Sequence, residues 1–308
     1  MQLLKSPRRR IIILITLFTL EFFNIFGASA ENGGLTIEEQ IIENFKNEEP
    51  HSWGWNIPGI ITHFNTSKKE IALTFDACEG RFDKRLINYL RKEKIPATLF
   101  LSGRWIDNNI DSIELLQNPL FEIENHGLKH RVCSINGRSV YHLQATSSAK
   151  EIYEEIEVNA KKIEKLFGRK PKYYRPAGGY ADDVCIKIAN KLGHDVVNFN
   201  VIGDGGATYS KKKIINILSH VKPGSIVIFH MNHPESDIAE ALIATIPKLK
   251  KQGIKFVQLK DVLNAPLKND KESLEKEKYS LMLKAIEIVR KIIVLIRDLM
   301  QKGLLKTS

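Results

Sequence analysis

The amino-acid sequence predicts an α/β domain whose central layer is a parallel β-sheet, with enough strands to close toward a barrel. Three observations predict it. About seven short runs rich in β-branched and aromatic residues recur between Ile71 and Val257. Helical periodicity fills the intervals between them, the alternation expected of βα units. Several of the runs are apolar almost throughout, as in strands covered on both faces.

The elements follow in order. Ile71–Phe75 reads as a strand and Phe82–Glu93 as a helix. Pro96 breaks the chain before the strand Ala97–Ser102. A helical stretch near Ile106–Leu116 precedes the strand-like Phe121–Glu124. Helical periodicity extends over Val140–Phe167 and stops at Gly168, a residue suited to a left-handed cap. Lys172–Tyr174 is a short strand closed by Pro176, and Ala181–Leu192 is a helix stopped by Gly193. Asp195–Val201 reads as one strand and Lys211–Val221 as a helix. Pro223-Gly224 punctuates before the strand Ser225–Phe229, and helix Ile238–Gln252 leads through Gly253 to a last strand, Ile254–Val257. Upstream, Ile37–Phe45 predicts a short helix, with Thr36 and Glu39 at capping-box spacing. Trp53 and Trp55 are candidates for a sugar-binding groove or for anchors of a terminal arm.

The 308 residues carry a formal charge of +10, but the basicity is concentrated at the ends. Residues 1–30 hold +3 and residues 266–308 hold +4, so the middle of the chain has no strong basic excess and no nucleic-acid partner is expected. Residues 1–30 have the order of a signal peptide: Arg8, Arg9 and Arg10, then the apolar run Ile11–Leu20, then Ala28-Ser29-Ala30. Export to the periplasm or the extracellular side is the expectation, in an oxidising compartment. There, Cys78 and Cys133 are candidates for a bridge, since both flank the chemistry-bearing segments. Residues 31–67 read as an N-terminal arm, 68–265 as the main domain, and 266–308 as a charged linker followed by an amphipathic helix over Leu281–Met300. That helix suits packing on its own domain, contact with a membrane surface through 281–300, or pairing with another chain.

Four segments place reactive side chains at or just after strand-like runs. Asp76 ends Thr74-Phe75-Asp76. His126 and His130 stand four apart in Glu124-Asn125-His126-Gly127-Leu128-Lys129-His130, a spacing that on a helical turn holds one metal ion. Asn125 is a candidate to fix one of the two rings. Arg175, before Pro176, can hold Asp76 in its charged form, and the Gly178 amide can face a developing oxyanion. His230 ends Ile226–Phe229 and is a candidate general acid, with Asp204 to orient it. Each also has a plain structural reading: a helix cap for Asp76, surface histidines, a structural ion pair for Arg175, a turn aspartate for Asp204.

Together Thr74-Phe75-Asp76, His126-x-x-x-His130, Arg175-Pro176 and Ile228-Phe229-His230 resemble, in order and spacing, the polysaccharide deacetylase family. This is the NodB-homology domain, or carbohydrate esterase family 4. The resemblance covers about residues 68–265. It implies a distorted (β/α) barrel, here with a C-terminal amphipathic helical extension. It implies metal-assisted hydrolysis, with zinc as the expected divalent ion, of N- or O-acetyl groups on a chitin-like or cell-wall glycan. By position, Asp76 matches the base, Arg175 its tether, His230 the acid, and His126 and His130 metal ligands. The family's second aspartate is replaced by Ala77, so the ligand set is short by one, with Asp76, Cys78 or His233 to complete it. Gly178 stands where the family has an aromatic residue. The alternatives are a non-catalytic glycan-binding scaffold on the same fold and a hydrolase of another non-peptide carbon–nitrogen bond.

Overall fold

A computed structural model describes residues 35–263. The segment 1–30 read as a signal peptide and the segment 266–308 read as a linker and amphipathic helix lie outside the described residues. The chain enters through helix α1 (Ile37–Phe45), where Thr36 Oγ1 and Glu39 form the anticipated capping box. Strands β1 (Trp53–Gly54) and β2 (Ile60–Ile61) follow. The repeating part then runs β3 (Glu70–Ala77), α2 (Lys84–Lys92), β4 (Ala97–Leu101), α3 (Gly103–Asn108), β5 (Phe121–Asn125), α4 (Ala149–Tyr153) and α5 (Asn159–Phe167). It continues with β6 (Tyr173–Tyr174), β7 (Ala181–Asp182), α6 (Asp183–Lys191), β8 (Asp195–Val197), β9 (Val201–Ile202) and α7 (Lys211–Ser219). β10 (Ile226–His230), α8 (Ile238–Lys251), β11 (Lys255–Val257) and α9 (Leu259–Leu263) close the described chain.

The main sheet has the order β2-β8-β6-β5-β4-β3-β10-β9, with β11 added beside the first half of β3. Every pair in it is parallel. It curls into a distorted barrel whose ends, β2 and β9, do not pair with each other. β1 and β7 form a separate antiparallel pair.

The period of two along β3 sorts its side chains between layers. Ile71, Leu73, Phe75 and Ala77 belong to the large core between sheet and helices. Ala72 belongs to the barrel interior with Phe100, Tyr173 and Val197, and Thr74 and Asp76 share its face. Asp76 therefore ends an inward-facing row, at the carboxyl rim where βα loops build sites.

Two expectations need correction. Helical structure in the fourth repeat begins at Ala149, because residues 140–148 form a loop tied back by hydrogen bonds to Val132 and Ser134. The strand expected over Asp195–Val201 is two pieces, since Asn198 turns its side chain to the carbonyls of Trp55 and Gly179. Within the segment 31–67, Ile60 and Ile61 pair with Val196 and Val197 and so add a strand to the sheet.

The cysteine pairing also differs. The bridge joins Cys133 to Cys185, with Cα atoms 5.9 Å apart, and Cys78 is outside any disulfide. Cys133 and Cys185 meet in the core under α1, α4 and α6. Cys78 lies across the sheet, 3.4 Å from a histidine ring. Closing a loop with a sequence separation of 52 residues stabilises the fold by about 4 kcal/mol in the chain-entropy account.

Candidate active site

The anticipated residues converge on one cavity of about 470 Å³. Asp76, His126, His130, Asp204, His230 and Gly178 all line it, and so does Cys78. Arg175 stands behind Asp76, fully buried.

Arg175 is fixed from every direction. Its Nε donates to the Val197 carbonyl at 3.0 Å and Nη2 to the Asn198 carbonyl at 3.0 Å. Nη1 donates to Thr74 Oγ1 at 3.0 Å and to Asp76 Oδ1 at 2.7 Å. The guanidinium lies over the Phe100 ring, 4.0 Å from its centre. Burial lowers the guanidinium's pKa while Asp76 acts to raise it. A buried pair of this kind needs all its donors satisfied, and the guanidinium has four such bonds. One carboxylate oxygen is thereby occupied and Oδ2 faces the site.

The imidazole of His126 is oriented by Arg175 too, through its backbone. His126 Nδ1–H donates to the Arg175 carbonyl at 2.7 Å. With that proton committed, the lone pair sits on Nε2, which points to Asp76 Oδ2 at 3.5 Å and Cys78 Sγ at 3.4 Å. Asn125 does not fix either ring. Its side chain bonds the Ile156 carbonyl, the Gly127 amide and Asn159, because it serves the turn that lets the chain leave β5.

His130 arrives on a loop rather than a helical turn, with φ at +55°. The segment is gathered by Glu155, whose buried carboxylate accepts from the Lys129 amide at 3.0 Å and the Arg131 amide at 2.9 Å. Glu155 lies in a π-helical turn, Glu154–Val158, between α4 and α5. Such turns re-aim side chains at functional sites. Gly127 makes room for it, since a Cβ there would be 2.4 Å from Glu155 Oε1. The rings of His126 and His130 are 4.8 Å apart and edge to face. His130 Nε2 is buried with no hydrogen-bond partner.

Cys78, His126 and His130 bring their ligand atoms within 4.8 Å of one another. Period two explains Cys78's place. Ala77 points into the helix-packed layer, and the next residue returns to the face of Asp76. Burial pushes the Cys78 thiol up, but the His130 and His126 imidazoles outweigh it and hold it well below the ordinary thiol value. His126 is itself raised: burial opposes its charge, and Asp76 and Cys78 favour it. A thiolate and two imidazoles, one with an unsatisfied nitrogen, are a donor set that fits a zinc-like divalent ion with a position left for water. His233, the other candidate, bonds Glu235 at the surface and takes no part.

Across the cavity, Asp204 grips His230 twice. Its Oδ2 accepts from the His230 amide at 2.6 Å, and its carboxylate accepts from Nδ1–H at 3.0 Å. Burial disfavours the imidazolium, yet Asp204 and Cys78 raise its pKa well above 6.5. Asp204, expected among substrate-binding residues or as an orienter, is thus an orienter of His230 by geometry.

The polysaccharide deacetylase family model matches residues 63–197. Over those residues the chain is similar to this family. A peptidoglycan-N-acetylglucosamine deacetylase from Bacillus cereus is 28% identical over 214 residues, which are 68% of this chain and 92% of that one. The peptidoglycan-N-acetylmuramic acid deacetylase PdaA from Bacillus subtilis is 25% identical, over 70% of this chain and 82% of its own length. Among solved structures, a CE4 family pseudoenzyme from Bacillus anthracis is similar with a TM-score of 0.57 at 26% identity, covering 68% of this chain and 70% of that one. Against the family pattern, the notable change in this chain is the pair Ala77-Cys78 in place of a second aspartate.

Proposed function

We propose that the chain is an exported, metal-dependent deacetylase that hydrolyses N- or O-acetyl groups of a chitin-like or cell-wall glycan. One observation carries the reading: a tethered carboxylate, a three-residue ligand group and a carboxylate-oriented histidine meet in a single cavity. Cys78, His126 and His130 would hold the ion, with Asp76 beside them. A bound divalent ion supplies Lewis acidity and lowers the pKa of water.

The residues of the chain divide the proton work. Asp76 accepts the proton of the attacking water at Oδ2, Oδ1 being held by Arg175. His230, protonated at neutral pH through Asp204, delivers its Nε2 proton to the leaving amine or alkoxide. Each transfer contributes about 10²–10⁴ in rate. The Gly178 backbone lies at the cavity wall, where an N–H donor supports the developing oxyanion. The disulfide supports export, since such bridges persist in oxidising compartments. Contact of the 281–300 stretch with a membrane surface belongs to the same proposal.

A pseudoenzyme on this fold gives a second reading, in which Ala77 marks lost metal affinity. The retained Asp76–Arg175 and His230–Asp204 pairs favour an enzyme, since a binder has no use for a base opposite an acid. Metal analysis of the purified protein, followed by acetate release from acetylated chito-oligosaccharides and peptidoglycan, tests the two. The expected outcome is about one equivalent of zinc and chelator-sensitive acetate release. Cys78→Ala is expected to lose the metal while remaining folded. Full metal content in that variant would remove Cys78 from the ligand group.

A further inference from the structure

Every pair in the main sheet is parallel, so the strand starts share the end opposite the catalytic cavity. The run of β3 from Glu70 to Asp76 spans about 20 Å at the usual strand rise. Lysines gather at that far end. Lys69 precedes β3, Lys94 precedes β4, Lys222 precedes β10, Lys251 precedes β11, Lys255 opens β11 and Lys260 lies on α9, and all are exposed. The ion pairs at this end use other lysines: Lys68 meets Glu70 at 3.4 Å and Lys250 meets Glu93 at 3.6 Å. No carboxylate among the described residues forms an ion pair with the exposed set.

Backbone contacts join these lysines into one face. The Lys255 amide donates to the Lys69 carbonyl at 2.8 Å, and Lys69 Nζ donates to the Gln252 carbonyl at 3.3 Å, next to Lys251. Lys222 joins through its turn, where the Gly224 amide donates to the Glu70 carbonyl at 2.8 Å. Lys94 joins from the other side, where Lys250 Nζ donates to the Glu93 carbonyl at 2.9 Å. α9 lies across the same end. The Leu259 amide donates to Thr98 Oγ1 and the Lys260 amide to the Glu122 carboxylate, both at 3.1 Å, each near the start of its strand. The described chain ends there at Leu263, packed with Val262 on the barrel interior. Residues 266–308, with their net charge of +4, continue from this end. Unpaired like charges on one face repel one another and add nothing to folding, but they attract an anionic surface.

We propose that this lysine face rests on the anionic headgroups of a lipid membrane, so that the catalytic cavity opens away from the bilayer. Peripheral attachment strengthens with buried apolar area and with attraction to anionic lipid. The lysine face offers the charge, and the sequence that continues from the same end, Leu281–Met300, offers apolar positions at helical spacing. That combination suits a lipid surface better than a soluble polyanion. The face is a second contact beside the 281–300 stretch, and it is independent of the deacetylase reading.

Sedimentation of the full chain with vesicles of phosphatidylglycerol and phosphatidylcholine, against phosphatidylcholine alone, tests it. Binding is expected to the anionic vesicles only, and to weaken as salt rises. Lys94→Gln, Lys251→Gln and Lys255→Gln made together are expected to weaken it about a hundredfold, and the same three positions changed to Arg to retain it. Lys84→Gln, Lys211→Gln and Lys212→Gln are the matched control. These exposed lysines open α2 and α7, which follow the carboxyl ends of β3 and β9, so binding should stay within about threefold at physiological salt. Equal loss in both sets means undirected charge attraction and overturns the face. No loss in the first set overturns it too, leaving 281–300 as the whole of any membrane contact. Lysine-dependent retention on immobilised polyphosphate with none on vesicles overturns the lipid in favour of a soluble phosphate polymer. Acetate release from soluble chito-oligosaccharides is expected to be equal in both sets, so the active-site reading stands or falls separately.

Discussion

The side chains that meet in the cavity stand on two kinds of backbone. Asp76, His126, Arg175 and His230 stand at strand ends, where the parallel ladder continues through them: Asp76 pairs with Phe100 and His230, and the Arg175 amide bonds the Asn125 carbonyl. His130 stands on a loop with left-handed backbone, aimed by Glu155 from a distant helix and braced by the Cys133–Cys185 bridge nearby. Strand-end residues inherit their positions from the sheet. The loop residue depends on a few remote tethers, each removable by itself.

The contrast can be broken from either side. The largest effect is expected at the strand ends. Asp76→Asn keeps an acceptor for Arg175 but cannot take a proton, so acetate release should fall by about 10²–10⁴. Circular dichroism should show the fold retained, with stability reduced because the Arg175 charge is left unbalanced. Next comes the loop. Glu155→Gln leaves Asp76, Arg175 and His230 in place but weakens the grip on the amides around His130. Metal affinity should drop about 10–100-fold, measured by competition with a chromogenic chelator. An unchanged affinity would show that the loop needs no such tether.

Two smaller effects sharpen the comparison. Cys185→Ser should cost about 4 kcal/mol in denaturant unfolding, with a modest loss of activity through His130. Asp204→Asn should alter the pH profile more than the rate at neutral pH. The pKa of His230 is raised by Asp204, so the acid form persists past pH 6.5 and the alkaline limb of kcat lies above the ordinary histidine value. Removing the carboxylate moves that limb to lower pH. The same linkage makes the pair's contribution to stability complete below pH 6.5 and lost as pH rises through the elevated pKa of the folded state. A limb that stays in place would show that another group sets it.

The legible part of the sequence was the part written in short-range periodicity. Strands β3, β4, β5 and β10 and helices α1 and α8 were readable because apolar runs and caps mark them locally. Most of the candidate set is readable because Asp76, His126, Arg175 and His230 stand at or next to the ends of such runs. Beyond the Arg175–Asp76 and His230–Asp204 pairs, the long-range contacts are not readable. Nothing near Cys133 in the chain singles out Cys185 over Cys78, since the choice is made by which face of the sheet each occupies. Glu155 is one acid among several in its stretch of sequence, and only the π-helical turn brings its carboxylate to the amides on either side of His130. Cys78 had a signal, the alternation Asp76-Ala77-Cys78, and it needed the knowledge that Ala77 turns away from the cavity. The apolar periodicity across residues 140–148 misled because loop residues such as Val140 and Leu143 pack around Gly178 instead of along a helix.

Arg175 serves two masters by different parts of itself, its side chain steadying Asp76 and its carbonyl aligning His126. Only the first is encoded by the residue's identity; the second belongs to the peptide bond and survives any substitution that leaves the backbone in place. Evolution can thus silence the chemistry of such a centre while its imidazoles stay correctly turned. The turn of the His126 ring and the tether on Asp76 therefore rest on separable parts of one residue.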